Sequence, residues 1–191
     1  MTRDEVRMFR ESAQVLLTLL RCISMKKALS IDSSNQLNFF RLYDACLMDV
    51  SVISWCKIFG AEKNQDIHWR KLFPDTTTEV RRNLEVQLEG QSSRVTTLSD
   101  EIRKYRDTYA AHHDLDQTKR ASAHPHLAPM GKTGLIVYRA VYEVLRGVEY
   151  VQGLPSPDRI SGQHLKTIED QWRAISDAAK LAKVNLKDAP S

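Results

Sequence analysis

Long apolar runs are missing from this chain of 191 residues. The longest, Val15 to Leu20, is interrupted by Thr18 and lies between Arg10-Glu11 and Arg21. That is too short and too charged for a membrane span or a secretory signal, and it leads to the expectation of a cytoplasmic protein with no membrane partner. Cysteine is scarce. Cys22, Cys46 and Cys56 are odd in number and none forms a CxxC pair. They read as reduced core thiols in apolar helical patterns, not as a disulfide framework. No local feature singles out one of them as a nucleophile. Glycine is scarce as well, at 7 residues. Gly131-Lys132-Thr133 ends like a phosphate-binding P-loop, but His126 stands where that motif needs its first glycine, and no strand precedes it. Apolar/polar alternation is nearly absent, and so are internal repeats and low-complexity tracts, which excludes a β fold and a solenoid.

What is present is ordinary for a single globular domain: 42% hydrophobic and 27% charged residues. A net charge of +4 and a pI near 9.0 make a weak pointer to a nucleic-acid partner. Helical periodicity runs throughout. Thr2 caps a first helix whose apolar stripe is Phe9, Ala13, Leu16, Leu17, Leu20 and Ile23. After a turn over residues 30–34, with Ser34 as cap, a central helix spans about Asn35 to Phe59 and stops at Gly60. Its inner face is read as Phe39, Tyr43, Cys46, Val50, Ile53 and Cys56, widened by Leu42, Leu47, Trp55 and Phe59. Ile67 to Phe73 forms a short turn or helix stopped by Pro74. Thr76 and Glu79 offer a capping box for a helix to about Leu88. Another helix runs from Ser92 or Ser99 to about His112, with Val95, Leu98, Ile102, Tyr105 and Tyr109 inside.

Residues 117–134, rich in proline and glycine, read as a loop. Leu135 to Val151 and Gln163 to Val184 read as the last two long helices, with Val137, Val141, Val144, Leu145 and Val148 inside the first and Leu165, Ile168, Trp172, Ile175 and Ala179 on one stripe of the second. The expectation is an all-α antiparallel bundle of about five main helices, one domain over residues 1–185 with a short flexible tail at 186–191.

Chemistry concentrates in KYRDTYAAHHDLD, Lys104 to Asp116. An arginine fork suits phosphate oxygens, and a histidine moves protons near neutral pH. On RNA that pair suffices without metal. The histidine takes the 2′-OH proton, the oxygen attacks the adjacent phosphate, and the arginine stabilises the phosphorane, giving a 2′,3′-cyclic phosphate and a 5′-OH. On a regular α-helix His113 lies almost directly above Arg106, with His112 about a third of a turn away. Asp107 can fix the guanidinium or an imidazole.

The run Tyr105-Arg106-Asp107-Thr108-Tyr109-Ala110-Ala111-His112 resembles the signature of HEPN-domain proteins. Leu42 to Gly60, the segment IHWRKLF and the sequence AHHD look like the abortive-infection-associated branch of that family. The resemblance covers most of the chain. It implies a HEPN-like helical bundle and a metal-independent endoribonuclease, a toxin or defence effector of toxin–antitoxin type. It implies an active site formed at a homodimer interface and an antitoxin or regulatory partner protein. Arg106 and His112 fall on the two defining positions and Asp107 on the polar position after the arginine, while His113 fits the looser spacing. Asp114 stands where some members carry a tyrosine modified by a nucleotidyltransferase, which sets this chain apart from that variant. No cofactor and no metal are implied.

Arg81, Arg82, Arg94, Arg103, Lys104, Lys119 and Arg120 surround the motif in sequence, and Arg103, Lys104, Lys119 and Arg120 are the candidate RNA-binding residues. Trp55, Trp69 and Trp172 read as core. Three rival readings stand beside this one. An HD-type metal phosphohydrolase would use His113-Asp114 with His68 and with Asp158 or Asp170. A local metal clip would draw on His112, His113, His124 and His126. A non-catalytic interaction or nucleotide/RNA-binding module would keep the bundle without the chemistry.

Overall fold

The computed structural model describes residues 1–29, 38–75, 78–89, 100–110, 125–160 and 165–187. Every regular element among them is helical. They are α1 (Arg3–Leu29), α2 (Asn38–Phe59), α3 (Trp69–Leu72), α4 (Glu79–Glu89), α5 (100–105), α6 (Leu127–Gly147), α7 (Pro157–Arg159) and α8 (Leu165–Lys187). Helix α5 runs directly into a π-helical turn, Arg106–Ala110. The chain is therefore all-α, with α1, α2, α4, α6 and α8 as its long helices. No helix among the described residues is long and apolar enough to cross a membrane.

Helix α1 is the hub and packs against α2, α6 and α8. It starts with a reciprocal capping box: the Thr2 N–H donates to Glu5 Oε2 at 2.6 Å and the Glu5 N–H donates to Thr2 Oγ1 at 3.2 Å. The stripe expected from periodicity, Phe9 to Ile23, is buried throughout. Lys26 near the end of α1 pairs with Asp44 near the start of α2 at 2.6 Å, and Val15 lies beside Val50 and Ile53, so the two helices run antiparallel.

Helix α2 turns a different side to the core than expected. Leu47, Met48, Val52, Trp55, Cys56, Ile58 and Phe59 are buried, whereas Leu42 is 66% exposed, Val50 39% and Ile53 37%, and Cys46 is exposed too. The helix is apolar almost all the way round, so its pattern selects no face, and packing against α1 decides. The buried Trp55 indole N–H donates to Thr133 Oγ1 of α6 at 3.2 Å, the partner a buried indole needs. The Phe39 side chain lies outside the described ones, as does Ser34.

Helix α6 begins earlier than expected, at Leu127, so the stretch 127–134 is helix and not loop. Pro129 sits in the first turn, where its missing N–H is not needed. The glycines let α1 approach. A Cβ on Gly131 would lie 3.6 Å from Ile23 Cδ1, and one on Gly134 only 2.9 Å from Leu19 Cδ2. Gly134→Val is expected to destabilise the chain by about 1–3 kcal/mol, because the fully buried Leu19 has little room to yield. Urea denaturation of the two proteins measures this.

Three boundaries shift. Helix α4 is capped by Thr78, whose Oγ1 accepts the Arg81 N–H at 3.4 Å, and it starts at Glu79; Thr76 lies outside the described residues. Helix α6 ends at Gly147, so Val148 to Val151 are not helical; Val137, Val141 and Leu145 are buried as expected, and Val144 is half-buried. Helix α8 reaches Lys187, two residues into the expected tail. On α8, Trp172 is half-buried and stacks on Tyr43 at 4.8 Å between centroids, while Ile175 is exposed and does not join the core.

Candidate active site

The site grows from the α5–α2 contact. Ile102 and Tyr105 are buried as expected, and the Tyr105 hydroxyl donates to Asp49 Oδ1 of α2 at 3.0 Å. That bond pins the helix just before Arg106. The backbone then widens into the π turn, where N–H groups reach five residues back. Thr108 supports it: its hydroxyl, itself buried, donates to the Lys104 carbonyl at 2.7 Å. π turns are uncommon and recur at functional sites. Because Arg106 to Ala110 do not follow α-helical rotation, the alignment of Arg106 with a residue seven positions on no longer applies. His112 and His113 lie outside the described residues, as do Lys119 and Arg120, and the turn removes the geometric preference for His113 over His112.

Arg106 is held at two points. Its Nε and Nη2 donate to Asp107 Oδ1 at 2.7 and 2.6 Å. Its guanidinium also meets the Cys56 thiol. Burial works against the cation, but Asp107 and Cys56 outweigh it and the group stays charged. The side chain remains 29% exposed, so the fork is fixed without being sealed off. One turn back, Arg103 pairs with Asp100 at 3.7 Å, yet its Nε is buried with no hydrogen-bond partner among the described residues. Two guanidinium groups thus stand three residues apart around Cys56, one with an unmet donor. An anion with several acceptor oxygens satisfies such a pair.

Sequence reasoning missed the support from Cys56, Asp49 and Thr108. Cys56 lies 50 positions from Arg106, and only the packing of the π turn on α2 joins them. The Cys56 thiol is no nucleophile: burial pushes it up to about 11 despite the neighbouring Arg106, so it is protonated at neutral pH. Cys22 is buried as well, whereas Cys46 is exposed, against the expectation of three core thiols.

Of the other expected basic residues, Lys104 is exposed. Arg81 has structural duties: its Nη1 donates to the Phe73 and Pro74 carbonyls, each at 3.3 Å, and its guanidinium lies over the Trp69 ring.

His68 is a buried cap. Its Nδ1 accepts the Arg70 N–H at 3.3 Å at the start of α3, and the ring also bonds the Gly60 backbone. Burial pulls its pKa down to about 4, with Glu62, Arg70 and Lys71 as its charged neighbours. The folded chain therefore refuses a proton that the unfolded chain accepts below about pH 6.5. Stability is expected to fall by about 3 kcal/mol as pH drops from about 6.5 to about 4, and to be flat in this respect above that window. His68→Asn keeps a capping side chain and should flatten the pH dependence of the urea midpoint between pH 7 and pH 5.

Asp158 and Asp170 are exposed, and among the described residues no three His, Cys, Asp or Glu side chains group to hold a metal ion. His113, Asp114 and His124 lie outside the described residues. No family model, no curated protein and no solved structure matches this chain.

Proposed function

We propose that the chain is a HEPN-like, metal-independent endoribonuclease, a toxin or defence effector that works as a homodimer under a regulatory partner protein. The observation that carries this reading is Arg106. Its guanidinium is oriented by Asp107, backed by Cys56, set on a π turn pinned through Tyr105, and still open to solvent. Arg106 holds the scissile phosphate, and His112 or His113 moves the 2′-OH proton. Arg103 adds a second cation one turn away.

The composite site needs a second copy, and the exposed apolar side of α2 suits one. Leu42, Cys46, Val50 and Ile53 form a stripe flanked by α1 on one side and, through Asp49 and Cys56, by the Arg106 turn on the other. The groove beside the stripe is lined by Glu11 and Lys57, one charge of each sign. A two-fold axis brings the acid of one copy to the base of the other.

A second reading, a non-catalytic module, is favoured by the structural duty that Arg106 performs between Asp107 and Cys56. Total RNA incubated in EDTA with wild type, Arg106→Ala, His112→Ala and His113→Ala separates the readings. Cleavage lost with Arg106 and with one histidine supports the nuclease. Cleavage that EDTA abolishes points to the HD-type alternative. No cleavage by an intact dimer leaves the module.

A further inference from the structure

Away from Arg106, the outer face of α1 carries a line of arginines. Arg3, Arg7, Arg10, Gln14 and Arg21 fall within an arc of about 60° and extend along about 27 Å of helix. Two adjoining cavities, about 1320 and 460 Å³, open along this line and share Arg10 and Gln14. Their opposite wall is the connection after α6, residues 148–154. Together they make one long groove, with Arg21 at one end near the Tyr138 hydroxyl. Against four arginines the groove sets two acids, Asp4 and Glu11. Among the described residues Arg3, Arg7 and Arg10 form no ion pair, so their forks are not used up inside the fold. Tyr150, on the facing wall, is 51% exposed. The chain reverses beside it through Glu149 and Gly153, both with positive φ, which holds the ring at the groove edge.

A row of guanidinium groups at helical spacing suits a row of phosphates, and an exposed aromatic ring suits an unpaired base. We infer that this groove binds single-stranded RNA, with Arg3, Arg7, Arg10 and Arg21 on the phosphates and Tyr150 stacking a base. The inference rests on the ribonuclease reading for the choice of RNA. It adds a track on α1, remote in sequence from the basic residues around the Arg106 motif.

The test uses a fluorescein-labelled 2′-O-methyl uridine 12-mer, which cannot be cleaved through a 2′-OH, and follows anisotropy over a salt series with the full chain. Arg7→Ala/Arg10→Ala is expected to weaken binding at least tenfold and to lower the log–log salt slope by about 1.4, two phosphate contacts on a single strand. Tyr150→Ala is expected to weaken binding roughly tenfold with the slope unchanged, and Tyr150→Phe to restore it. Arg173→Ala, on the exposed side of α8, is the control. Binding by the double variant within twofold of wild type overturns the inference, and so does an equal loss in the control. Equal affinity for a duplex of the same length overturns it too, because stacking on Tyr150 needs an unpaired base. Wild-type cleavage of RNA with unchanged binding in the Arg7/Arg10 variant sinks the groove alone. Binding through the groove without cleavage sinks the nuclease alone.

Discussion

If the chain is the proposed ribonuclease, Arg106→Ala is expected to lower RNA cleavage by about 10²–10³-fold while the bundle stays folded. The size follows from removing one oriented donor from the phosphorane. The fold survives because Asp107, 56% exposed, is solvated once the guanidinium is gone, and Cys56 loses only a contact at its surface. Two graded variants sharpen the result. Arg106→Lys keeps the charge but not the fork, and is expected to restore only a small part of the rate. Asp107→Asn keeps a hydrogen-bond acceptor without its charge, and is expected to cost roughly tenfold by loosening the guanidinium. Single-turnover cleavage of a defined RNA, with circular dichroism as the fold control, measures all three. An Arg106→Ala protein that cleaves at the wild-type rate removes the arginine from the chemistry.

On the proposed reading, Val50→Asp combined with Ile53→Asp is expected to separate the proposed homodimer and to silence the proposed nuclease. Both side chains are more than a third exposed in the single chain, so the carboxylates remain hydrated there and the monomer folds. In a dimer packed through the α2 stripe they are buried without partners, at a cost of about 3–5 kcal/mol. That weakens the dimer by about two to four decades. Sedimentation velocity reads the assembly and the cleavage assay the consequence. A double variant that stays dimeric places the interface elsewhere. One that becomes monomeric and remains fully active shows that a single chain holds a complete site.

The helical architecture was legible because most helices announce themselves by a one-sided pattern. In α1, Phe9, Ala13, Leu16, Leu20 and Ile23 repeat at helical spacing and all turn inward. Helix α2 misled for the opposite reason: with apolar residues on every side, its sequence does not say which set faces α1, and the set chosen from spacing included Val50, Ile53 and Cys46, which are exposed. The residues that were misread are the ones that now suggest a second copy. In α6, Pro129, Gly131 and Gly134 looked like loop punctuation. A proline in a first turn costs a helix nothing, and glycine at a helix crossing reflects the neighbour's proximity, which no local pattern records.

At the site, Arg106 and Asp107 were singled out by the resemblance to a family signature and not by spacing alone, and the structure shows the two paired. The π turn could not be foreseen, because a reading at 3.6 residues per turn assumes the regularity that the turn breaks. Nor could the Cys56 and Asp49 contacts, which depend on how α5 lies on α2. The arginine line on α1 was there to be read, at positions 3, 7, 10 and 21. The groove was not legible with it, because the wall opposite comes from residues 148–154, far along the chain.

The most direct measurement is the chemistry of the cleaved ends. Wild-type protein is incubated with total RNA in excess EDTA, and the fragments are analysed for terminal groups. An Arg–His nuclease leaves 2′,3′-cyclic phosphates and 5′-hydroxyls at a rate that EDTA does not change. Fragments carrying 5′-phosphates, cleavage that stops with EDTA, or intact RNA in the presence of folded dimer would contradict it.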